Sequence, residues 1–171
     1  MDLMYLIGEP GVGKSTLMAA LTEWGNQSSV EVDQPFRYRV WSNGVVELGG
    51  RREGYPGTDA LALDASPRVV DFLRFQRPEL VMGEGARLGT EKFLLAAQSI
   101  GYELHLYHLV GPARSRRRER EKPQKESYAK GQRTKSAHLS TMFGALDIST
   151  TMSPDFLVKM MNDPVSMAFK P

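Results

Sequence analysis

Residues 8–15 read Gly8-Glu9-Pro10-Gly11-Val12-Gly13-Lys14-Ser15 and satisfy G-x-x-x-x-G-K-[ST] at every fixed position. The flanks give the string its weight. Leu3-Met4-Tyr5-Leu6-Ile7 is a short apolar run of the kind buried in parallel sheets. Thr16 to Trp24 spaces Leu17, Ala20, Leu21 and Trp24 along one helical face. A glycine turn that merely caps a helix would not need the preceding buried strand. Gly8, Gly11 and Gly13 let the backbone turn with its N–H groups aimed into one concavity, and the helix dipole adds a partial positive charge. The cradle for a polyphosphate therefore runs through Gly8, Gly11, Val12, Gly13, Lys14, Ser15 and Thr16. In such a loop the lysine, here Lys14, reaches the β/γ-phosphates, and the hydroxyl, here Ser15, sits on Mg²⁺.

The rest of the chain reads as alternating strands and helices. Val30 to Val32 is a short strand, and Phe36–Val40 and Val45–Leu48 flank Ser42-Asn43-Gly44, a strong hairpin signal. Glycines and a proline punctuate 49–64, which reads mainly as loop. Ser66-Pro67 opens a helix, Ser66 as N-cap and Pro67 at the first position, with Val69, Val70, Phe72 and Leu73 on its apolar face. Leu80-Val81-Met82 is a buried strand leading into Gly83-Glu84-Gly85-Ala86-Arg87; a helix follows from Thr90 to Ile100, then a strand from Glu103 to Val110. A basic helix from Ala113, a loop near Pro123, a second short helix, a strand at Leu146–Ile148 and a Ser153-Pro154 helix to Met161 complete the chain. Strands alternating with helices predict a mostly parallel sheet with right-handed crossovers.

A length of 171 residues fits one domain. There is no cysteine, so neither a disulfide frame nor thiolate chemistry is available. No apolar stretch approaches about 20 residues and the N-terminus lacks a basic leader, which predicts a soluble, cytoplasmic protein with no membrane partner. The net charge of +2 conceals an asymmetry: Arg114 to Lys135 carries +7 and the remainder −5. On charge alone that stretch reads as a solvated helix face; beside a phosphate loop it points to an anionic partner.

In this order the parts resemble a small P-loop nucleoside or nucleoside-monophosphate kinase over the whole chain, most of all the phage-type deoxynucleoside monophosphate kinases. The motifs are the loop at Gly8–Ser15, the strand ending Val81-Met82-Gly83-Glu84-Gly85-Ala86-Arg87, the arginine-rich stretch Arg114–Arg120, and the strand, polar loop and Ser-Pro helix from Leu146 to Met161, where the family places its adenine. The hairpin at Phe36–Leu48 departs from the common small kinases, which have helices there. The resemblance implies a three-layer α/β P-loop NTPase sandwich with a mostly parallel central sheet, a β-hairpin insertion and an Arg-rich lid. It implies one domain over 1–171, with the acceptor-binding insertion at 36–64 and the lid at 112–138. It also implies ATP and Mg²⁺ as cofactors and a small-molecule nucleotide acceptor.

The candidate roles follow from phosphoryl transfer, where catalysis is positioning plus cations around equatorial oxygens. Lys14, Glu84, Arg114 and Arg118 are the catalytic candidates, with Ser15 and Glu84 toward the metal. Glu84 stands at the carboxyl end of a central strand, where open α/β sheets bind ligands; a carboxylate capping the next segment is its plainer role. Arg114, Arg117 and Arg118 share one helix face, and lids exclude water during transfer. Lys130 to Lys135 reads as a second, mobile contact. For the acceptor, Arg51 and Arg52 in a glycine-rich loop suit bidentate phosphate binding, with Tyr55, Thr58, Asp59 and Arg87 beside them. Tyr55 or Trp41 offers a ring for a base, although hairpin packing is the commoner role for Trp41. His105 and His108 are at odd spacing on one strand and face opposite sides, which argues against a metal pair.

Three other readings compete, one of them a small-metabolite kinase with the same core, separated only by its acceptor loop. A kinase acting on a nucleic acid, at a base or an end hydroxyl, would use the basic stretch as a strand track, but Tyr128 is its one aromatic. A nucleotide-dependent binding module with little turnover would need no second substrate site. Nothing in the sequence sets the oligomeric state.

Overall fold

The computed structural model describes residues 1–23, 28–50, 57–113, 125–151 and 153. Strand β1, Asp2–Ile7, is buried from its second residue on, as a near-continuous apolar run with neighbours on both edges must be. Its side chains divide by parity. Leu3, Tyr5 and Ile7 join one core cluster, Met4 and Leu6 the other. The first cluster takes its helical half from α2 (Ala65–Gln76), α3 (Glu91–Ile100) and α4 (Glu126–Phe143), through residues such as Val69, Leu73, Phe93, Leu94 and Leu139. The second takes it from α1 (Lys14–Thr22), through Leu17, Met18 and Leu21. Helices thus cover both faces of one sheet, the three layers expected.

Six further strands complete that sheet: β2 (Ser29–Val32), β3 (Tyr38–Trp41), β4 (Val46–Leu48), β5 (Leu80–Glu84), β6 (Glu103–Val110) and β7 (Leu146–Ser149). Their order is β2-β3-β4-β5-β1-β6-β7. β4, β5, β1, β6 and β7 run parallel, while β2, β3 and β4 pair antiparallel at one edge. The β3–β4 hairpin turns at Asn43-Gly44 as predicted, with Gly44 at φ 84°. An aromatic group, Phe36, Tyr38 and Phe72, packs this edge against α2 with ring centroids 4.8 to 5.2 Å apart.

Three expectations shift. Helix α1 begins at Lys14 rather than Thr16 and buries Met18 as well. Helix α2 begins at Ala65 with Asp64 as N-cap, so Ser66 caps nothing and Pro67 sits inside the first turn, where a missing N–H costs nothing. Helix α4 is no short piece but spans 18 residues, docked by Ala129, Ser136 and Leu139. Thr90 caps α3 through its hydroxyl, which accepts from the Phe93 amide at 3.3 Å. The Leu146–Met161 expectation is met for β7, and its helix lies outside the described residues. Among the described residues no helix is long and apolar enough to cross a membrane.

Candidate active site

The loop between β1 and α1 is built on backbone that only glycine adopts readily. Gly8, Gly11 and Gly13 have φ of 144°, 85° and 108°. Buried Val12 pins the loop to the second core cluster, and Thr16 is exposed on the first turn of α1. Gly13 is the N-cap and brings no side chain to the first amides of α1, which leaves the dipole facing the loop. The Lys14 ammonium donates to the carbonyls of Gly8 and Glu9 at 3.0 and 3.1 Å, so it arches back over the loop.

Ser15 comes next in the helix, and its hydroxyl donates to Glu84 Oε1 at 2.8 Å. Parallel pairing of β1 with β5, with Leu6 opposite Glu84, makes this junction. Glu84 is 3% exposed. Burial pushes its carboxyl up to about 7; Lys14 and the Ser15 hydrogen bond pull the other way, and Asp59 and Glu47 add to the rise. A hydroxyl and a carboxylate side by side are the hard oxygen donors that Mg²⁺ takes in phosphate sites. The described donor set therefore fits that ion.

Glu47 is a site residue that sequence reasoning missed. It is 5% exposed on β4, accepts from the Trp41 indole N–H at 3.0 Å and adds to the rise of the Glu84 carboxyl. Trp41 is accordingly buried in the hairpin, not offered to a base. The signal for Glu47 was an acid in a β4 flanked by apolar neighbours on a strand that would be covered on both faces.

A third layer of contacts fixes the loop after β5. Tyr5, in the middle of β1, points its hydroxyl to Thr58 Oγ1 at 2.9 Å and donates to the Gly85 carbonyl at 3.0 Å. Thr58 donates to the Glu84 carbonyl at 2.9 Å and is fully buried, so its hydroxyl holds the loop instead of facing a ligand. Asp59 Oδ1 accepts from the amides of Ala86 and Arg87 at 2.8 and 3.1 Å. Gly57 packs so close to Glu84 that a Cβ there would strike the carboxylate. Thr58, Asp59, Glu84 and Arg87 are thus brought together, and Tyr5 joins them unforeseen.

Helix α4 closes the opposite side. Arg133 donates through Nε and one terminal nitrogen to Glu9 Oε2, at 3.1 and 2.7 Å, tying α4 to the phosphate loop. Lys135 donates to the Ala86 carbonyl at 3.1 Å. Of the stretch Lys130–Lys135, these two residues reach the phosphate loop and the loop after β5 through protein groups. Arg51, Arg52, Tyr55, Arg114 and Arg118 lie outside the described residues. The histidines do part to opposite neighbours, His105 to Asp2 on β1 at 2.7 Å and His108 to Asp147 on β7 at 2.9 Å.

The family described as P-loop Nucleotide Kinase3 matches residues 1–149. No curated protein matches the chain. Among solved structures, the G domain of the T. maritima FeoB iron transporter is similar at 18% identity and a TM-score of 0.39, over 93% of this chain and 94% of that one.

Proposed function

The chain belongs to the P-loop Nucleotide Kinase3 family, and from that membership we propose that it transfers the γ-phosphoryl group of ATP, with Mg²⁺, to a (deoxy)nucleoside monophosphate, making the diphosphate. Within that family type, the order of parts set out above supports the phage-type deoxynucleoside monophosphate kinases as the proposed subtype. The observation that carries the reading is the Ser15–Glu84 hydrogen bond, which sets a carboxylate and a hydroxyl beside the lysine of a phosphate loop. ATP is preferred over GTP because the guanine-reading Asn-Lys-x-Asp appears nowhere in the sequence.

Lys14 and the loop amides hold the donor phosphates, and Ser15 and Glu84 are the residues that would hold Mg²⁺. The ion, when bound, neutralises charge building on the transferring group. Arg114 and Arg118 supply further positive charge at the transition state. Asp59 and Arg87 stand where an acceptor comes in, with Arg51, Arg52 and Tyr55 assigned to the same end.

A second reading has one observation of its own. Glu84 is pushed up to about 7, near the value at which a carboxylate works as a general base at neutral pH. A hydroxyl acceptor must lose a proton in the transfer; a phosphate acceptor is already ionised. On this reading the acceptor is a hydroxyl on a base or strand end of a nucleic acid, and the stretch from Arg114 to Lys135 follows the strand.

The test is a panel of acceptors with ATP and Mg²⁺ at low and high salt. The first reading expects diphosphate from one or more monophosphates with shallow salt dependence. Transfer to DNA alone, falling steeply with salt, would replace it with the second. Tight ATP binding with no transfer to either would leave a binding module.

A further inference from the structure

The loop that follows β5 is gripped from two sides. Asp59 takes the amides of Ala86 and Arg87, and the Lys135 ammonium on α4 takes the Ala86 carbonyl. Lys135 spends one of its three donors there. The Arg87 side chain leaves the same loop, and its Nε is a buried donor that, among the described residues, has no hydrogen-bond partner. Such an atom carries the full cost of lost hydration until something accepts from it. Tyr128 lies seven residues before Lys135 on α4, two turns away on the same face. Burial raises its phenol, the Asp59 charge raises it further and the Arg87 guanidinium opposes that rise, and the same Asp59 charge acts on the Lys135 ammonium. Glu84, bonded to Ser15, is the residue immediately before this loop.

We propose that Arg87 and Lys135 together bind a phosphate ester of the acceptor nucleotide, with Tyr128 beside its sugar or base. This rests on the phosphotransferase reading and deepens it by assigning the acceptor's anion to a helix that reaches the loop from the far end of the chain. The same phosphate chemistry comes from two sources, a free monophosphate or the phosphate flanking a target nucleotide in a single strand.

The experiment is equilibrium binding to the full chain, measured by calorimetry. The probes are the four deoxynucleoside 5′-monophosphates, a single-stranded oligodeoxynucleotide, and ADP as a reporter of the Gly8–Ser15 loop. Wild type is compared with Lys135→Met, Lys135→Arg and Arg87→Ala, each checked for a native melting transition. The expected result is that at least one monophosphate or the oligonucleotide binds wild type and loses about ten- to a hundredfold in affinity in Lys135→Met and Arg87→Ala. Lys135→Arg recovers most of that loss, and ADP affinity stays within about twofold throughout. Which probe responds identifies the source. Equal affinities in wild type and variants, parallel loss of ADP binding in Lys135→Met, or no binding of either class of acceptor would overturn the assignment. Phosphoryl transfer is a separate readout. Binding that obeys this pattern without turnover would defeat the kinase reading alone, and turnover indifferent to Lys135 and Arg87 would defeat the phosphate site alone.

Discussion

The Ser15 hydroxyl and the Glu84 carboxylate meet at 2.8 Å across 69 residues of sequence. They meet because β1 and β5 are neighbours in the sheet and both end at the same level. The candidate site among the described residues is arranged around that junction.

Glu84 makes stability depend on pH in a direction opposite to that of an ordinary paired carboxylate. Its carboxyl is held up to about 7 against an ordinary 4.5. Between those values the folded chain keeps a proton that the unfolded chain has lost. The contribution is therefore complete below about pH 4.5 and declines as pH rises to about 7, by roughly 3 kcal/mol. Glu84→Gln should remove that slope. In urea melts without nucleotide, the variant gains on wild type between pH 5 and pH 8; an unchanged difference would mean that Glu84 titrates normally.

Glu84→Gln should also lower kcat, because the neutral amide neither anchors a cation nor takes a proton. The expected loss is on the order of a hundredfold or more. Steady-state rates over a Mg²⁺ titration check it, and full activity in the variant would remove Glu84 from the chemistry.

Lys14→Ala should abolish transfer and leave the fold intact. The Lys14 ammonium bonds the loop carbonyls of Gly8 and Glu9, and neither core cluster contains it. Normal turnover by a folded Lys14→Ala protein would end the kinase hypothesis.

Tyr5→Phe tests the support behind the site. The hydroxyl joins Thr58 to the Gly85 carbonyl inside the core. Its removal leaves buried polar atoms short of a partner and should cost about 1–3 kcal/mol. Because the loop after β5 loosens, the acceptor KM should rise more than the donor KM. A lower midpoint with both KM values unchanged would confine Tyr5 to stability.

Arg114 and Arg118 should act on rate more than on acceptor affinity. A single arginine aimed at a transferring phosphoryl group contributes up to about 10³–10⁵ in kcat, and neighbours in Arg114–Arg120 soften the loss for each single change. The double substitution to alanine is the sharper measurement. A kcat that stays put would make the stretch a solvated face or a docking surface.

Much of this was legible because it is local. The loop at Gly8–Ser15 and the hairpin at Asn43-Gly44 are each dictated by a few adjacent residues whose backbone conformations leave little choice. What escaped depends on contacts distant in sequence. Ser66 looks like a cap until tertiary packing of Ala65 starts the helix two residues earlier. Residues 126–143 look broken by Gly131 and poor in apolar residues, yet small buried side chains, Ala129 and Ser136, let the helix lie close to the sheet. Glu47 reads as the polar member of an alternating strand, and only the placement of β4 between β3 and β5 buries it. Lys135 reads as one more charge in a basic run until α4 sets it on the Ala86 carbonyl.

Within the sheet, the antiparallel trio β2-β3-β4 pairs with the other strands through β4. That edge can be lengthened, trimmed or exchanged while Gly8–Ser15 and Glu84 keep their register on β1 and β5. On the function proposed above, the choice of acceptor and the handling of polyphosphate would then be free to evolve at different speeds.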